Sequence, residues 1–244
     1  MKSVSQATYL GDLNSETGKI DETVSQRSKK ATGIICQISS ILSSICLGSF
    51  HFDIALVLRE ALFINSVMVN SEVWHCVQQK HIESMEKSDL ILLKKVLNAH
   101  AKTATESFFI ELAIYPLAYY LSKRRFMYLW HILSRYKSEL IHKVYVAQKC
   151  QVNKGDWVKI LEEERIKYDI MVSDDEISEM SKERFKMMIK VKIETHAINH
   201  LKQQAKSHSK SRNLVDEKFE QKEYFSDRRF TKEDIQLLFK LRTI

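Results

Sequence analysis

Residues 27–46 read RSKKATGIICQISSILSSIC, and this stretch decides the fold class of the chain. Its apolar side chains recur with a helical spacing: Ala31, Ile34, Ile35, Ile38, Ile41, Leu42 and Ile45. Because an α-helix completes a turn about every 3.6 residues, that spacing gathers the apolar side chains on one face. We therefore predict an amphipathic helix that buries this face in a helical core.

The composition of the whole chain supports the same fold class. The 244 residues include only 5 Gly and 1 Pro, while 44% are hydrophobic and 28% are charged. All-β folds need Gly and Pro at their tight turns, and dinucleotide-binding folds need a Gly-rich first turn. The apolar content is sufficient for a buried core. We expect a mainly α protein, a helical bundle with a helical C-terminal extension.

Patterning along the chain predicts five segments. Residues 52–69 are almost continuously apolar, which predicts a central buried helix, and a long polar helix is expected from Ile177 to about Lys206. Residues 207–230 are rich in Ser, Lys and Glu and have the composition of a flexible linker. The predicted segments are a short extended opening at 1–15, a helical bundle at 16–150, a helical extension at 151–206, the linker at 207–230 and a short terminal helix at 231–244.

Two sequences have the spacing of a capping box, in which a hydroxyl and a carboxylate bind the free amides at the start of a helix. They are Thr103–Glu106 and Ser173–Glu176. Pro116 suits the first turn of a further helix, because its missing N–H would have no partner there. We expect that helix to run to about Arg135.

Residues 31–52 carry no formal charge, but seven of them are Thr, Gln or Ser. A membrane-spanning helix needs about 20 predominantly apolar residues, so we predict no membrane partner. The N-terminal sequence MKSVSQATYLGDL lacks the apolar region of a cleaved signal peptide. The cysteines show no Cys-x-x-Cys spacing and are interpreted as reduced core thiols of a cytoplasmic or nuclear protein. They are Cys36, Cys46, Cys76 and Cys150.

Motifs for catalysis are missing from the sequence. It contains no Gly-x-x-x-x-Gly-Lys, Gly-x-Ser-x-Gly or Gly-x-Gly-x-x-Gly run, so phosphate loops and nucleophile elbows have no support. Asp174 and Asp175 could hold a metal, but their place after Ser173 favours a role at the helix start. His196 and His200 are four residues apart, as zinc ligands on a helix often are. The residues between them lack the Glu that acts as general base in a His-Glu-x-x-His hydrolase, so we interpret both histidines as solvated. We predict no catalytic residue, metal, cofactor or small-molecule substrate.

The segment 117–149 is both basic and aromatic, and Glu139 is its one acidic residue. Its basic side chains are Lys123, Arg124, Arg125, Arg135, Lys137, Lys143 and Lys149, and its aromatic side chains are Tyr119, Tyr120, Phe126, Tyr128, Trp130, Tyr136 and Tyr145. On a continuous helix, Arg124 and Arg135 share a stripe opposite Phe126. The aromatic side chains are then mostly core. The basic face either binds phosphates or is an ordinary solvated surface.

Several short motifs follow one another along the chain. They are Tyr9-Leu-Gly-Asp-Leu13, Gly33-Ile-Ile-Cys-Gln-Ile-Ser-Ser-Ile-Leu42, Leu58-Arg-Glu-Ala-Leu62, Asn70-Ser-Glu-Val-Trp74, His100-Ala-Lys-Thr-Ala-Thr-Glu106, Glu111-Leu-Ala-Ile-Tyr-Pro116, Arg124-Arg125 and Gly155-Asp-Trp157. Their order and spacing resemble the region downstream of the catalytic core in reverse transcriptases of non-LTR (LINE-type) retrotransposons. The resemblance extends from about residue 4 to residue 241.

The resemblance implies that residues 1–15 are the last part of a polymerase palm and that residues 16–150 form a thumb-like bundle on the RNA or DNA of a template–primer duplex. The family's aromatic-x-Asp-Asp motif belongs upstream of Tyr9, so we expect a non-catalytic fragment of an RNA-directed DNA polymerase. The side chains expected to contact phosphates are Lys123, Arg124, Arg125, Arg135 and Lys137.

Three positions depart from the family pattern: Ala104 stands where Pro is expected, Ala113 where Gly is expected, and Ala118 where a basic residue is common. Two other interpretations stay open. One is a helical module that binds a protein partner through the 177–206 helix and the linker. The other is a retroelement remnant without a function.

We expect no polymerase activity from this chain. Two-metal nucleotidyl transfer needs clustered carboxylates that bind both ions, and the one Asp-Asp pair in the sequence, Asp174–Asp175, lies at a predicted helix start. Primer extension with Mg²⁺ or Mn²⁺ measures the activity. Incorporation above a control without protein would contradict the expectation.

Overall fold

The computed structural model of the protein describes residues 6–9, 12–15, 21–44, 51–75, 77, 79–151, 156–209 and 211–243. In this part the chain is mainly helical, which confirms the predicted fold class. The α-helices are α1 Asp21–Ser44, α2 His51–Leu58, α3 Asn65–Val67, α4 Gln79–Val96, α5 Thr105–Leu112, α6 Leu117–Leu133, α7 Leu140–Cys150, α8 Trp157–Lys167, α9 Asp174–Glu179, α10 Lys182–Ser207 and α11 Lys232–Thr243.

Other elements are short. A π-helix at Arg59–Ile64 continues α2 into α3, and 3-10 helices occur at Ser71–Val73, Arg212–Leu214 and Glu223–Phe225. Near the N-terminus, β1 Gln6–Tyr9 and β2 Asp12–Ser15 pair antiparallel, with Gln6 opposite Ser15. The described part of the predicted extended opening is therefore a pair of antiparallel strands.

The chain forms two compact units. The first unit comprises Met1–Ser25, Asn70–Gln79 and Ala118–His196, and the second unit comprises Gln26–Val69, Lys80–Leu117 and Ala197–Ile244. These units differ from the predicted linear order of bundle, extension and linker, because each combines segments that are far apart in sequence. Periodicity indicates which face of a segment is buried, but it does not identify the segment that covers this face.

In the second unit, the face of α1 predicted from its spacing is buried. Ala31, Ile38 and Leu42 are at most 5% exposed. One face of the apolar stretch 52–69 is buried: Phe63 has no exposed surface, whereas Val57 is 64% exposed. The predicted central helix is thus buried on one face only, and the stretch runs as α2, the π-helix and α3.

Arg59 is a charge within this apolar stretch, and it is fully paired. Its side chain is 2% exposed, and that of Asp89, on α4, is 1% exposed. The guanidinium donates to the two carboxylate oxygens of Asp89 at 2.7 and 2.5 Å, and to the Tyr115 carbonyl oxygen at 3.3 Å. Removing one partner of such a pair costs about 3–5 kcal/mol, because the other charge is left buried alone. The pair therefore joins α4 to the π-helix.

The prediction of a flexible linker at 207–230 is wrong. Ser211 and Phe225 have no exposed surface, and the Phe225 ring centroid lies 5.6 Å from that of Phe52. The segment is mostly polar, and its few apolar side chains follow neither the periodicity of a helix nor that of a strand, so the sequence pattern did not predict their burial. Those side chains nevertheless reach the core of the second unit.

Buried carboxylates also hold this segment in place. Glu106, on α5, is 2% exposed and accepts a hydrogen bond from the Ser211 hydroxyl at 2.6 Å. Glu111, at the other end of α5, accepts from the Tyr224 hydroxyl at 2.6 Å and from Arg242 Nε at 3.0 Å. Arg242 belongs to α11, which confirms the predicted terminal helix.

The two capping-box predictions have opposite outcomes. At α9 the reciprocal bonds between Ser173 and Glu176 are both present, which confirms the prediction. At α5 the prediction is wrong, because the helix begins two residues after Thr103 and its N-cap has no side-chain hydrogen bond. The Glu106 carboxylate, which was expected to cap the helix, binds Ser211 instead.

Ala113 follows α5 with a left-handed backbone, φ 51°. The Ile114 amide donates to the Phe109 carbonyl oxygen at 3.0 Å, and the Ala113 amide donates to the Ile110 carbonyl oxygen at 3.3 Å. This hydrogen-bond pattern is that of a Schellman motif, whose left-handed position favours Gly. A side chain there costs roughly 1–2 kcal/mol. The expectation of Gly at this position thus has a physical reason.

The long helix predicted from Ile177 to about Lys206 is present as two helices. α9 ends at Glu179, and α10 has its own start, where the Arg184 amide donates to the Ser181 hydroxyl at 3.3 Å. No helix among the described residues combines the length and apolarity needed to cross a membrane.

The interpretation of the cysteines as core thiols is wrong for Cys36 and Cys150, which are free and exposed. Cys36 lies on α1 outside the buried stripe of that helix, so helical spacing places it toward solvent. Cys46 and Cys76 lie outside the described residues.

We expect Phe225→Ala to lower the free energy of unfolding of the second unit by about 3–5 kcal/mol, because it leaves a cavity beside Phe52. Urea unfolding followed by circular dichroism measures the change. Glu220→Ala, on the exposed surface of the same segment, is the matched control and should cost less than about 0.5 kcal/mol. A loss for Phe225→Ala as small as that of the control would restore the linker interpretation.

Candidate nucleic-acid interface

The aromatic side chains of segment 117–149 are mostly buried or half-buried in the first unit. Phe126, on α6, has no exposed surface, and Tyr145, on α7, is 3% exposed. Trp130 is half-buried, and its indole Nε1 donates to the Met180 carbonyl oxygen at 3.0 Å. These contacts fix the orientation of α6, so the basic side chains of the same segment have defined positions.

Arg125 was predicted to contact phosphates, but it is 3% exposed and belongs to the core. Its guanidinium donates to a carboxylate oxygen of Glu164, on α8, and to the Trp74 carbonyl oxygen at 3.2 Å. Glu164 also accepts from the Ser122 hydroxyl at 2.8 Å. Because neighbouring helix residues point about 100° apart, Arg124 and Arg125 cannot face the same surface. Arg125 is therefore not accessible to a phosphate.

His196, which was predicted to be solvated, is half-buried and packs against the same core. The His196 ring centroid lies 5.0 Å from that of Tyr168, and its Nδ1 lies 3.4 Å from the Tyr119 hydroxyl. Burial raises the pKa of Tyr168, although a hydrogen bond with Ser122 acts in the opposite direction. The prediction is therefore wrong for His196, whereas His200 is exposed.

The helix that carries the basic stripe ends at Leu133, so Arg135 lies beyond it. Residues 134–139, here called the basic turn, connect α6 to α7. The Arg135 amide donates to the Ile132 carbonyl oxygen at 3.3 Å, and the Glu139 amide donates to the Tyr136 carbonyl oxygen at 2.9 Å. These bonds give the basic turn a defined backbone. Its side chains Arg135, Tyr136 and Lys137 are all exposed.

Lys123 and Arg124 lie on α6 itself and are half-buried. Arg124 precedes the last residue of the helix, Leu133, by nine positions. At about 1.5 Å per residue, this corresponds to roughly 13 Å along the helix axis. The structure therefore separates the predicted phosphate contacts into a half-buried pair on α6 and an exposed pair on the basic turn.

Asp174 takes part in a structural cluster. It lies in the first turn of α9 and accepts hydrogen bonds from the Tyr145 hydroxyl at 2.8 Å, Lys149 Nζ at 2.8 Å and Arg165 Nη2 at 2.7 Å. Burial acts to raise the pKa of Asp174, but the three donors outweigh it, so the pKa lies below its ordinary value. Lys149, one of the basic residues of the segment, is thereby paired. Among the described residues, no group of three or more His, Cys, Asp or Glu side chains could hold a metal ion.

Tyr136 is the feature of this surface that sequence reasoning missed. Its side chain is 81% exposed, although the segment pattern grouped it with aromatic side chains of the core. The signal was its immediate context, Ser134-Arg-Tyr-Lys-Ser138, which has polar residues on both sides of the tyrosine. Such a context is typical of a turn at the surface.

Comparison of the chain with protein-family models, with curated proteins and with solved structures finds no match. The resemblance to non-LTR reverse transcriptases consequently stays a prediction from the order of the sequence motifs.

We expect Asp174→Asn to destabilise the first unit at neutral pH and to cost progressively less as the pH falls. The folded-state pKa of Asp174 is below its ordinary value of 3.8. Its charge therefore stabilises the fold above that value, and the wild type loses this contribution as the pH falls through the folded-state pKa. Urea unfolding of both proteins at several values from about pH 7 to about pH 3 measures the difference.

Asp175→Asn is the matched control, since Asp175 is adjacent in sequence and exposed. If Asp174→Asn destabilised the first unit equally at every pH, the charge of Asp174 would contribute nothing to the stability of the fold.

Proposed function

We propose that this protein is a non-catalytic nucleic-acid-binding region, similar to the thumb of a non-LTR retrotransposon reverse transcriptase. It holds the phosphate backbone of RNA or DNA through basic side chains of the first unit. The observation that carries the proposal is the basic turn, where Arg135 and Lys137 are exposed. Neither forms an ion pair with another residue in the part of the chain that the structure describes.

The local charge favours an anionic partner. From residue 135 to residue 143 the chain carries Arg135, Lys137 and Lys143 against one acid, Glu139. All three cations are exposed, so binding a phosphate would not require breaking a buried ion pair. Each cation that neutralises a phosphate releases condensed counterions, and this release drives nonspecific binding to nucleic acid.

The spacing of the cations suits a strand of a duplex. Arg124 and the end of α6 lie roughly 13 Å apart along the helix axis, which corresponds to about four steps of roughly 3.4 Å along one strand of a B-form duplex. One strand of a duplex that runs along α6 would therefore contact Lys123 and Arg124 at one end and the basic turn at the other. We propose these four side chains, without Arg125, as the phosphate contacts.

The proposal includes no catalytic step. The carboxylate of Asp174 accepts three hydrogen bonds from neighbouring side chains, so this member of the one Asp-Asp pair serves the fold. A template–primer duplex is the partner that the family resemblance implies. A protein with that partner would act in the cytoplasm or the nucleus.

A second candidate function is binding to a protein partner through α10. Met187 and Val191 are 68% and 56% exposed, and they lie one helical turn apart on the same face. This pair supports the interaction-module interpretation of the long helix. The absence of any nucleic-acid binding at low salt would favour this function, or a remnant without function, over the first proposal.

We expect the double variant Arg135→Ala/Lys137→Ala to bind duplex with a weaker dependence on salt. Each lost phosphate contact lowers the slope of log K against log salt by about 0.9 for a duplex, so the double variant should lose about 1.8. The loss of affinity should be similar for different sequences, because phosphate contacts do not read bases. Salt titrations of binding, with folding checked by circular dichroism, measure both quantities.

The matched control is Lys202→Ala/Lys206→Ala, which removes the same number of charges from α10. It should keep the slope of the wild type. Equal slopes for all three proteins would mean that the basic turn is only a solvated surface.

A further inference from the structure

Tyr136 presents an aromatic ring to solvent at the centre of the basic turn. Its side chain is 81% exposed, whereas Tyr119 and Tyr145 of the same segment are 6% and 3% exposed. An aromatic ring gains stability mainly by burying its large apolar surface. A ring left in solvent between Arg135 and Lys137 gains nothing from the fold. It is available to a ligand.

The backbone of the basic turn holds this ring in a defined place. The Ser134 amide donates to the Trp130 carbonyl oxygen at 2.9 Å, and the Glu139 amide donates to the Tyr136 carbonyl oxygen at 2.9 Å. Trp130 is in turn anchored to the Met180 carbonyl oxygen at 3.0 Å. Hydrogen bonds therefore fix the chain on both sides of Tyr136, and binding would order little besides the side chains themselves.

We propose that Tyr136 is a stacking platform for an unpaired base, in a strand whose phosphates are held by Arg135 and Lys137. The inference rests on the proposed function and deepens it by naming the ligand class, single-stranded RNA or DNA. Cations that follow the backbone and an aromatic ring that receives a base are the two components of single-strand binding sites. Inside a duplex each base face is covered by its neighbours, so the ring has a partner only in an unpaired stretch.

The test measures binding of the full chain to four ligands: oligo-dT and oligo-U of about 12 nucleotides, a duplex of the same length, and oligo-dT in which abasic sites replace the central bases. The variants are Tyr136→Ala, Tyr136→Phe and Arg135→Ala. Tyr136→Phe keeps the stacking face and loses the hydroxyl. Since Tyr136 is 81% exposed, these replacements should leave the fold intact, and circular dichroism checks this.

We expect Tyr136→Ala to weaken binding to both single strands by about 5- to 150-fold, the range of one lost base stack. The salt slope should not change, because tyrosine carries no charge that displaces counterions. Tyr136→Phe should bind like the wild type. Arg135→Ala should instead lower the salt slope by about 0.7 on a single strand. The duplex and the abasic strand should be insensitive to Tyr136→Ala.

The possible failures are distinguishable. If the wild type binds with a salt slope that Arg135→Ala reduces, but Tyr136→Ala binds single strands like the wild type, the stacking proposal is overturned and the proposed function stands. A loss in Tyr136→Phe equal to that in Tyr136→Ala would also overturn stacking, because the hydroxyl would then be the binding group. If the wild type binds none of the ligands at low salt, both proposals fail.

Discussion

The arrangement of the first unit depends on the burial of one guanidinium, that of Arg125. A buried charge is costly unless it is paired and hydrogen-bonded. Glu164 on α8 and the Trp74 carbonyl oxygen provide these partners, so one side chain joins α6 to two segments that are distant in sequence. Ser122 extends the network through Glu164 and the Tyr168 hydroxyl. Once this face of α6 is fixed inward, the direction of every other α6 side chain follows at about 100° per residue.

The second unit is stabilised in a related way, by buried charges that bring distant segments together. The pair of Arg59 and Asp89 joins the π-helix to α4. Glu111 accepts from Tyr224 and Arg242, residues that follow it by more than a hundred positions. Burial raises the pKa of Tyr224, and the nearby Glu111 raises it further, so the phenol stays protonated and donates its hydrogen bond. These bonds order the 207–230 segment that has the composition of a linker.

The first unit separates the side chains of the basic and aromatic segment 117–149 into a buried set and an exposed set. Both functional proposals depend on this separation. The aromatic side chains mostly turn inward and give α6 a fixed position, and Arg125 turns inward with them. Lys123 and Arg124 are half-buried on α6, whereas Arg135 and Lys137 are exposed and lie on a hydrogen-bonded turn beyond the helix end. Tyr136 is the exception among the aromatic side chains, and its exposure between two cations is the observation on which the stacking proposal depends.

The sequence by itself determined the helical class, the buried stripe of α1 and the capping box at Ser173, because these depend on local spacing and on contacts three or four residues apart. It could not determine that Arg125 is buried while Arg135 is exposed. Both belong to the basic segment 117–149, and only the packing of α8 supplies the carboxylate that holds Arg125 in the core. The same reason explains why the capping-box prediction for Glu106 is wrong. Glu106 has the right spacing from Thr103, but its carboxylate accepts a hydrogen bond from Ser211, about a hundred residues later in the chain. Tertiary contacts alone decided which polar groups serve the core and which remain at the surface.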